Sequence, residues 1–238
     1  SCSGQEELIT PDPINMEDDI EDNMEEEQQT FQLPDIDLSN WKVTLPVGNP
    51  TEVEPPEILD YANNNLLREY MYNDSLDGSL VFYTYPASTT ANSSYSRTEL
   101  REQMEPGSNG VNWTFPQGGT LKGRLKMDEV SKDDEGKYHR VIVMQIHGRL
   151  TNEQRDQIGE DDNNAPPVLK IYWNKERIRV HRKVLKDSLV NDHDILFTNA
   201  WEDEAFWFDE VVGFDEFELE VIASDNKLEV VLNNNERM

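Results

Sequence analysis

The chain has 238 residues and a formal net charge of −28. That length suits one all-β domain with a sizeable core, and no apolar run is long enough to span a membrane. The single cysteine, Cys2, excludes an intrachain disulfide, and the strong acidity argues against the broad basic face that nucleic acid needs.

Residues 1–30 hold eleven acids and no lysine or arginine. Runs such as Glu17-Asp18-Asp19 and Glu25-Glu26-Glu27 leave little apolar surface to bury, so a disordered acidic tail is expected there. Ser1-Cys2-Ser3-Gly4 looks like the junction of a bacterial lipoprotein signal, in which the cysteine is lipidated after the leader is removed. That would make the protein extracellular or anchored to the outer membrane through Cys2. The plainer reading is an incidental free cysteine.

A globular domain is expected over residues 31–238. Trp41 to Leu45 alternates and stops at the turn cluster Pro46-Val47-Gly48-Asn49-Pro50. Residues 51–79 are loop-rich, and Leu80 to Tyr85 reads as a strand. Ser96 to Gln103 alternates strictly. As a strand it points Arg97, Glu99, Arg101 and Gln103 to one face, and Thr98, Leu100 and Glu102 to the other. Two arginines and a carboxylate fit the floor of a wet cleft, where guanidinium forks grip carboxylates. A solvated strand with local ion pairs is the plainer alternative.

Residues 120–127 alternate again, with Lys122, Arg124 and Lys126 on one face. Residues 128–137 form a charged turn. His139 to His147 is β-branched and mostly apolar, and it places Gln145 and His147 on one face. Thr151 to Pro167 reads as a long polar loop, either a lid or a surface insertion. Val168–Trp173 and Arg177–His181 form a hairpin around Asn174-Lys175-Glu176, with Arg177, Arg179 and His181 sharing a face. Phe217, Leu219 and Val221 alternate with Glu216, Glu218 and Glu220, and Lys227 to Leu232 completes another hairpin. Short strands at this spacing, with few helical patterns, indicate a β-sandwich. Residues 122–186 carry fifteen bases against eleven acids, so the cationic groups concentrate in mid-chain. A local cationic groove can attract an anionic ligand despite the net charge, because screening acts over about 8 Å at physiological salt.

Two motifs together resemble polysaccharide lyase family 7, the alginate lyases. Arg97-Thr98-Glu99-Leu100-Arg101-Glu102 matches the family's Arg-(Ser/Thr)-Glu-Leu-Arg-Glu strand, and Gln145-Ile146-His147 matches its Gln-(Ile/Val)-His strand. Asn40 to Pro46 looks like its opening strand, so the resemblance runs from about residue 35 to the end. It implies a β-jelly roll whose concave sheet forms the substrate groove, a monomeric protein acting on alginate, and no cofactor.

A lyase of this kind removes the proton on C5 of a uronate and expels the oxygen on C4. The C5 proton is weakly acidic while the adjacent carboxylate is charged. The site therefore needs a carboxylate neutraliser, a base and an acid. Arg97 can pair with the carboxylate, Gln145 can donate an amide hydrogen bond to it, and His147 can exchange protons near neutrality. The resemblance assigns these three the catalytic roles, and Glu99 and Arg101 would then hold or orient the groove; Glu99, Arg101, Lys170 and Tyr172 are the expected substrate-binding residues. His139 and His193 read as surface groups, and no histidine spacing suits a metal.

The family's C-terminal Tyr-Phe-Lys-Ala-Gly-x-Tyr-x-Gln strand, which carries the tyrosine acid, has no match here. Two expectations follow. One is a native chain that continues for one or two more strands, so that residues 1–238 alone bind alginate and turn it over poorly. The other is a non-catalytic carbohydrate-binding protein of the same fold. A jelly-roll glycoside hydrolase using Glu216, Glu218 and Glu220 is a third reading. It is weak because hydrolysis needs two carboxylates facing across a bond, whereas these three alternate along one solvated strand face.

Overall fold

A computed structural model describes residues 34–86 and 95–238. The expected acidic tail over residues 1–30, and Cys2 with it, lie outside the described residues.

Strands β1 (Trp41–Thr44), β2 (Glu52–Val53), β3 (Met71–Asn73), β4 (Leu80–Phe82) and β5 (Glu99–Glu102) come first. They are followed by β6 (Gly119–Leu125), β7 (Val141–Arg149) and the helix α1 (Asn152–Ile158). Strands β8 (Asn164–Asn174), β9 (Arg177–Leu185), β10 (Trp201–Val211), β11 (Phe217–Ser224), β12 (Lys227–Leu232) and β13 (Glu236–Arg237) complete the chain. Two antiparallel sheets, β10-β9-β8-β7 and β13-β12-β11-β6, pack face to face as the expected β-sandwich.

Alternation builds the core between the two sheets. Leu169, Ile171 and Trp173 of β8 and Ile178 and Val180 of β9 point inward, against Phe217, Leu219 and Val221 of β11. The Trp173 indole N–H donates to the Gly213 carbonyl at 2.8 Å, which satisfies its only polar atom inside the core. Glu216 and Glu220 stay off this core, and Arg124 pairs with Glu216 on the surface. The β8–β9 turn is Lys175-Glu176, both at positive φ, as a two-residue hairpin with the right-handed strand twist requires.

A satellite core packs Val43 of β1 and Leu45 just after it against Ile58, Leu67 and Met71, with Leu100 of β5 at its margin. It carries the sheet β2-β1-β5.

Three local expectations are corrected. The strand expected over Ser96–Gln103 is paired only over β5, because its partner β1 ends at Thr44, opposite Glu99; Arg97 therefore precedes the strand. The strand expected over Leu80–Tyr85 ends at Phe82, where β3 runs out at Met71. The polar loop expected over Thr151–Pro167 holds α1 and the start of β8. Thr151 accepts from the Gln154 backbone while the Gln154 side chain accepts from the Thr151 backbone, a full capping box, and Gly159 closes the helix in the left-handed region. Strand β10 had no counterpart among the expected strands, its period obscured by its acids. Its carboxylates meet β9 bases, with Lys183 to Asp203 at 2.9 Å and Arg182 to Glu204 at 2.6 Å. These charges also suit a sheet edge that must not pair further.

Candidate active site

With the core residues of β8 and β9 turned inward, the intervening residues form the opposite face of the sheet β10-β9-β8-β7. Lys170 and Tyr172 of β8 and Arg177, Arg179 and His181 of β9 lie on it. Register sets them in rows across the strands. Gln145, Lys170, His181 and Ala205 make one row, and Tyr172, Arg179 and Trp207 make another.

The two sequence motifs meet at the β7 edge of this face. The Gln145 side-chain amide donates from Nε2 to Glu99 Oε2 at 2.5 Å, across 46 residues of chain. A donor bonded to a carboxylate is held more firmly than one bonded to a neutral acceptor. The bond turns the amide nitrogen toward Glu99 and leaves it one further N–H.

His147 projects two residues along β7. Its Nδ1–H donates to the Gly148 carbonyl at 2.8 Å, the tautomer that leaves Nε2 with a free lone pair. The ring keeps an exposed edge but is crowded by groove atoms. This partial burial lowers its pKa from the ordinary imidazole value. The Gly148 bond opposes that shift, Arg101 adds to it, Glu99 opposes it and Lys170 adds to it. Gly148 itself is fixed by close approach: a Cβ there would stand 2.7 Å from the Pro166 carbonyl oxygen and 3.0 Å from Ala165 Cβ on β8.

Arg101 is half-buried beside Arg149, Glu99, Glu52 and Arg97. Burial lowers its pKa, and the neighbouring Arg149 adds to the shift. Arg97 has a buried Nε with no hydrogen-bond partner. Gln103, fourth in the same alternation, does not join the groove. It is 1 % exposed, and its amide is used by Glu54, Asn109 and the Gly107 backbone.

Lys170 sits opposite both Gln145 and His181. Tyr172 is only 6 % exposed. The Arg140 guanidinium lies 4.6 Å from its ring centroid and the His181 ring 4.9 Å from it. Burial raises its pKa, so it stays a neutral phenol that supports its neighbours rather than a face offered to a ligand.

The structure thus brings Glu99, Arg101, Gln145, His147 and Lys170 to one end of the face, with Arg97 beside Arg101. Sequence reasoning left Arg140, Arg149, Arg179, His181 and Trp207 out of the site. The shared face of Arg177, Arg179 and His181 was the available signal, but nothing local ties that face to His147. Among the described residues, no group of three His, Cys, Asp or Glu side chains is placed to hold a metal ion.

A family model described as alginate lyase matches residues 36–238. The crystal structure of alginate lyase A1-II′, a member of polysaccharide lyase family 7, is 29% identical, with 85% of this chain and 77% of that one covered and a TM-score of 0.64. A variant of that enzyme in complex with substrate (GGMG) is 28% identical, with 86% and 76% covered and a TM-score of 0.62. The alginate lyase from Klebsiella pneumoniae, 16% identical with 85% and 79% covered and a TM-score of 0.55, shares the fold. No curated protein matches the chain.

Proposed function

The chain belongs to the alginate lyase family, and from that premise we propose that its cationic groove binds alginate and cleaves it by β-elimination, with Arg97, Gln145 and His147 as the reacting set. Arg97 and the free N–H of Gln145 hold the C5 carboxylate and spread its charge as the carbanion-like transition state forms. His147 Nε2 takes the C5 proton. The C5–H pair becomes the C4–C5 double bond, the C4–O bond breaks, the departing oxygen takes a proton from solvent water, and the His147 imidazolium returns its proton to solvent. Glu99 and Arg101 position the amide and line the groove, and Lys170 takes a further carboxylate. Tyr172 supports Arg140 and His181 from beneath.

The observation that carries this reading is the Gln145–Glu99 hydrogen bond, which joins the two motifs at the groove edge beside a histidine whose Nε2 is free. The test is the ultraviolet absorbance of the unsaturated uronate end. Wild-type protein should generate it, and His147→Ala should lose at least about a hundredfold of the rate, the usual worth of a positioned base. New reducing ends without that absorbance would identify a hydrolase and overturn the elimination. Alginate binding with neither product would favour the non-catalytic binding reading, which rests on the cationic face of Lys170, Arg140 and Arg179.

We also propose a monomeric, secreted protein tethered through a lipid on Cys2. The support is the lipoprotein-like Ser1-Cys2-Ser3-Gly4 followed by an acidic run. Metabolic labelling with a fatty acid analogue, lost in Cys2→Ser, tests it. A wild-type protein that takes up no label would refute it.

A further inference from the structure

Arg177 and Arg179 lie two residues apart on the groove face of β9. Both pack on the Trp207 ring, 5.2 and 4.9 Å from its centroid. What holds their guanidinium groups differs. Arg177 donates from Nε at 3.0 Å and Nη2 at 2.6 Å to the Phe208 carbonyl, where the β9–β10 register shifts. Its role is structural. Arg179 has a buried Nε without a partner, and among the described residues no carboxylate forms an ion pair with it.

His181, the next residue on that face, repeats the pattern. Its Nε2 is buried and unpartnered. Its Nδ1 is 3.9 Å from Asp203, whose carboxylate is already held by Lys183 at 2.9 Å. The side-chain nitrogens buried without a partner among the described residues are those of Arg97, Arg179 and His181. Leaving such donors unsatisfied is costly, so they recur where a ligand completes them. One is at the proposed reacting end, and the other two stand together two strands away.

We propose that Arg179 and His181 form a second uronate subsite, in which the Arg179 fork takes a carboxylate and His181 Nε2 bonds a ring hydroxyl. This rests on the reading of the groove as an alginate site. A polyuronate carries a carboxylate on every residue, so a chain crossing the strands offers one to each cation it passes. The row Gln145–Lys170–His181 is such a crossing, about 10 Å from β7 to β9 at the usual strand spacing. Trp207 beneath Arg179 and Tyr172 beside His181 fix both groups before the ligand arrives. The subsite adds affinity and register on the polymer and takes no part in proton transfer.

The experiment is calorimetric titration of the full chain with an alginate hexasaccharide and with the same oligosaccharide after its carboxylates are reduced to alcohols. Arg179→Gln should weaken the charged ligand about tenfold, the loss expected for one carboxylate fork, and leave the reduced ligand unchanged. His181→Ala should weaken both ligands a few-fold, while Arg179→Lys should recover part of the loss. A thermal melt matching wild type shows that the sheet is intact. Wild-type affinity in Arg179→Gln, or an equal loss toward both ligands, would overturn the subsite while leaving the groove assignment standing. A wild-type chain that binds no alginate would overturn the reading of function, and the subsite with it.

Discussion

Replacing Glu99 by alanine removes the acceptor that fixes Gln145. The Glu99 carboxylate takes the Gln145 amide at 2.5 Å and contributes negative charge felt by both Arg101 and His147. A hydrogen bond to a charged group contributes about 1.5–3 kcal/mol. If that is expressed in the transition state, kcat/KM falls roughly ten- to hundredfold, at 1.4 kcal/mol per factor of ten. A second readout separates positioning from general damage. Glu99 opposes the lowering of the His147 pKa, so its loss should move the acid limb of kcat/KM to still lower pH. Glu99→Gln keeps an acceptor and loses the charge; it should show the same movement with a smaller fall in rate. The assay is the absorbance of the unsaturated product across a pH series, with thermal melting as the check on folding. A folded Glu99→Ala variant within about threefold of wild type, with an unmoved acid limb, would refute the view that Glu99 orients the site.

The pH dependence of the wild type follows from His147 acting as a base in its neutral form. Burial lowers its pKa, so kcat/KM should rise with pH through a value below 6.5 and be level at neutrality, whereas a limb above 6.5 would contradict the assignment. The same shift makes the folded imidazole bind a proton less readily than the unfolded one. Stability from this group is thus present above the unfolded pKa and lost as pH falls through 6.5 toward the folded value, which denaturant titrations at two pH values would detect. Gly148→Ala should cost about 1–3 kcal/mol in urea unfolding and reduce activity, because its Cβ would press on the β8 backbone at Pro166 and shift the carbonyl that holds His147. Glu216→Gln and Glu220→Gln should leave alginate cleavage unchanged, since Glu220 lies on the sheet remote from the groove and Glu216 just before its strand, paired with Arg124; a large loss in either would revive the hydrolase reading.

Period-two alternation is a local property, and for that reason the sequence already determined much of this protein. Phe217, Leu219 and Val221 are buried and Glu216 and Glu220 are not, as their alternation requires. Lys170 is opposed to Leu169 and Ile171 for the same reason, and two short motifs sufficed to imply the lyase family and its jelly-roll fold. The short helix Asn152–Ile158 was not legible, because it has no buried face and so no apolar period marks it among the surrounding Asp, Asn and Gln residues.

What alternation could not supply was the pairing of distant strands. Glu99 meets Gln145 only because β5 and β7 come together from elements 46 residues apart. The extent of β5 depended on where β1 stopped, which put Arg97 outside the strand. Arg177, Arg179 and His181 were equivalent in sequence, three polar residues on one face. The register shift in β10 exposed the Phe208 carbonyl to Arg177 and offered nothing comparable to Arg179. Local spacing decides which way a side chain points. Only the packing of the sheets decides what it finds there, because the partners come from chain segments whose proximity no local pattern encodes.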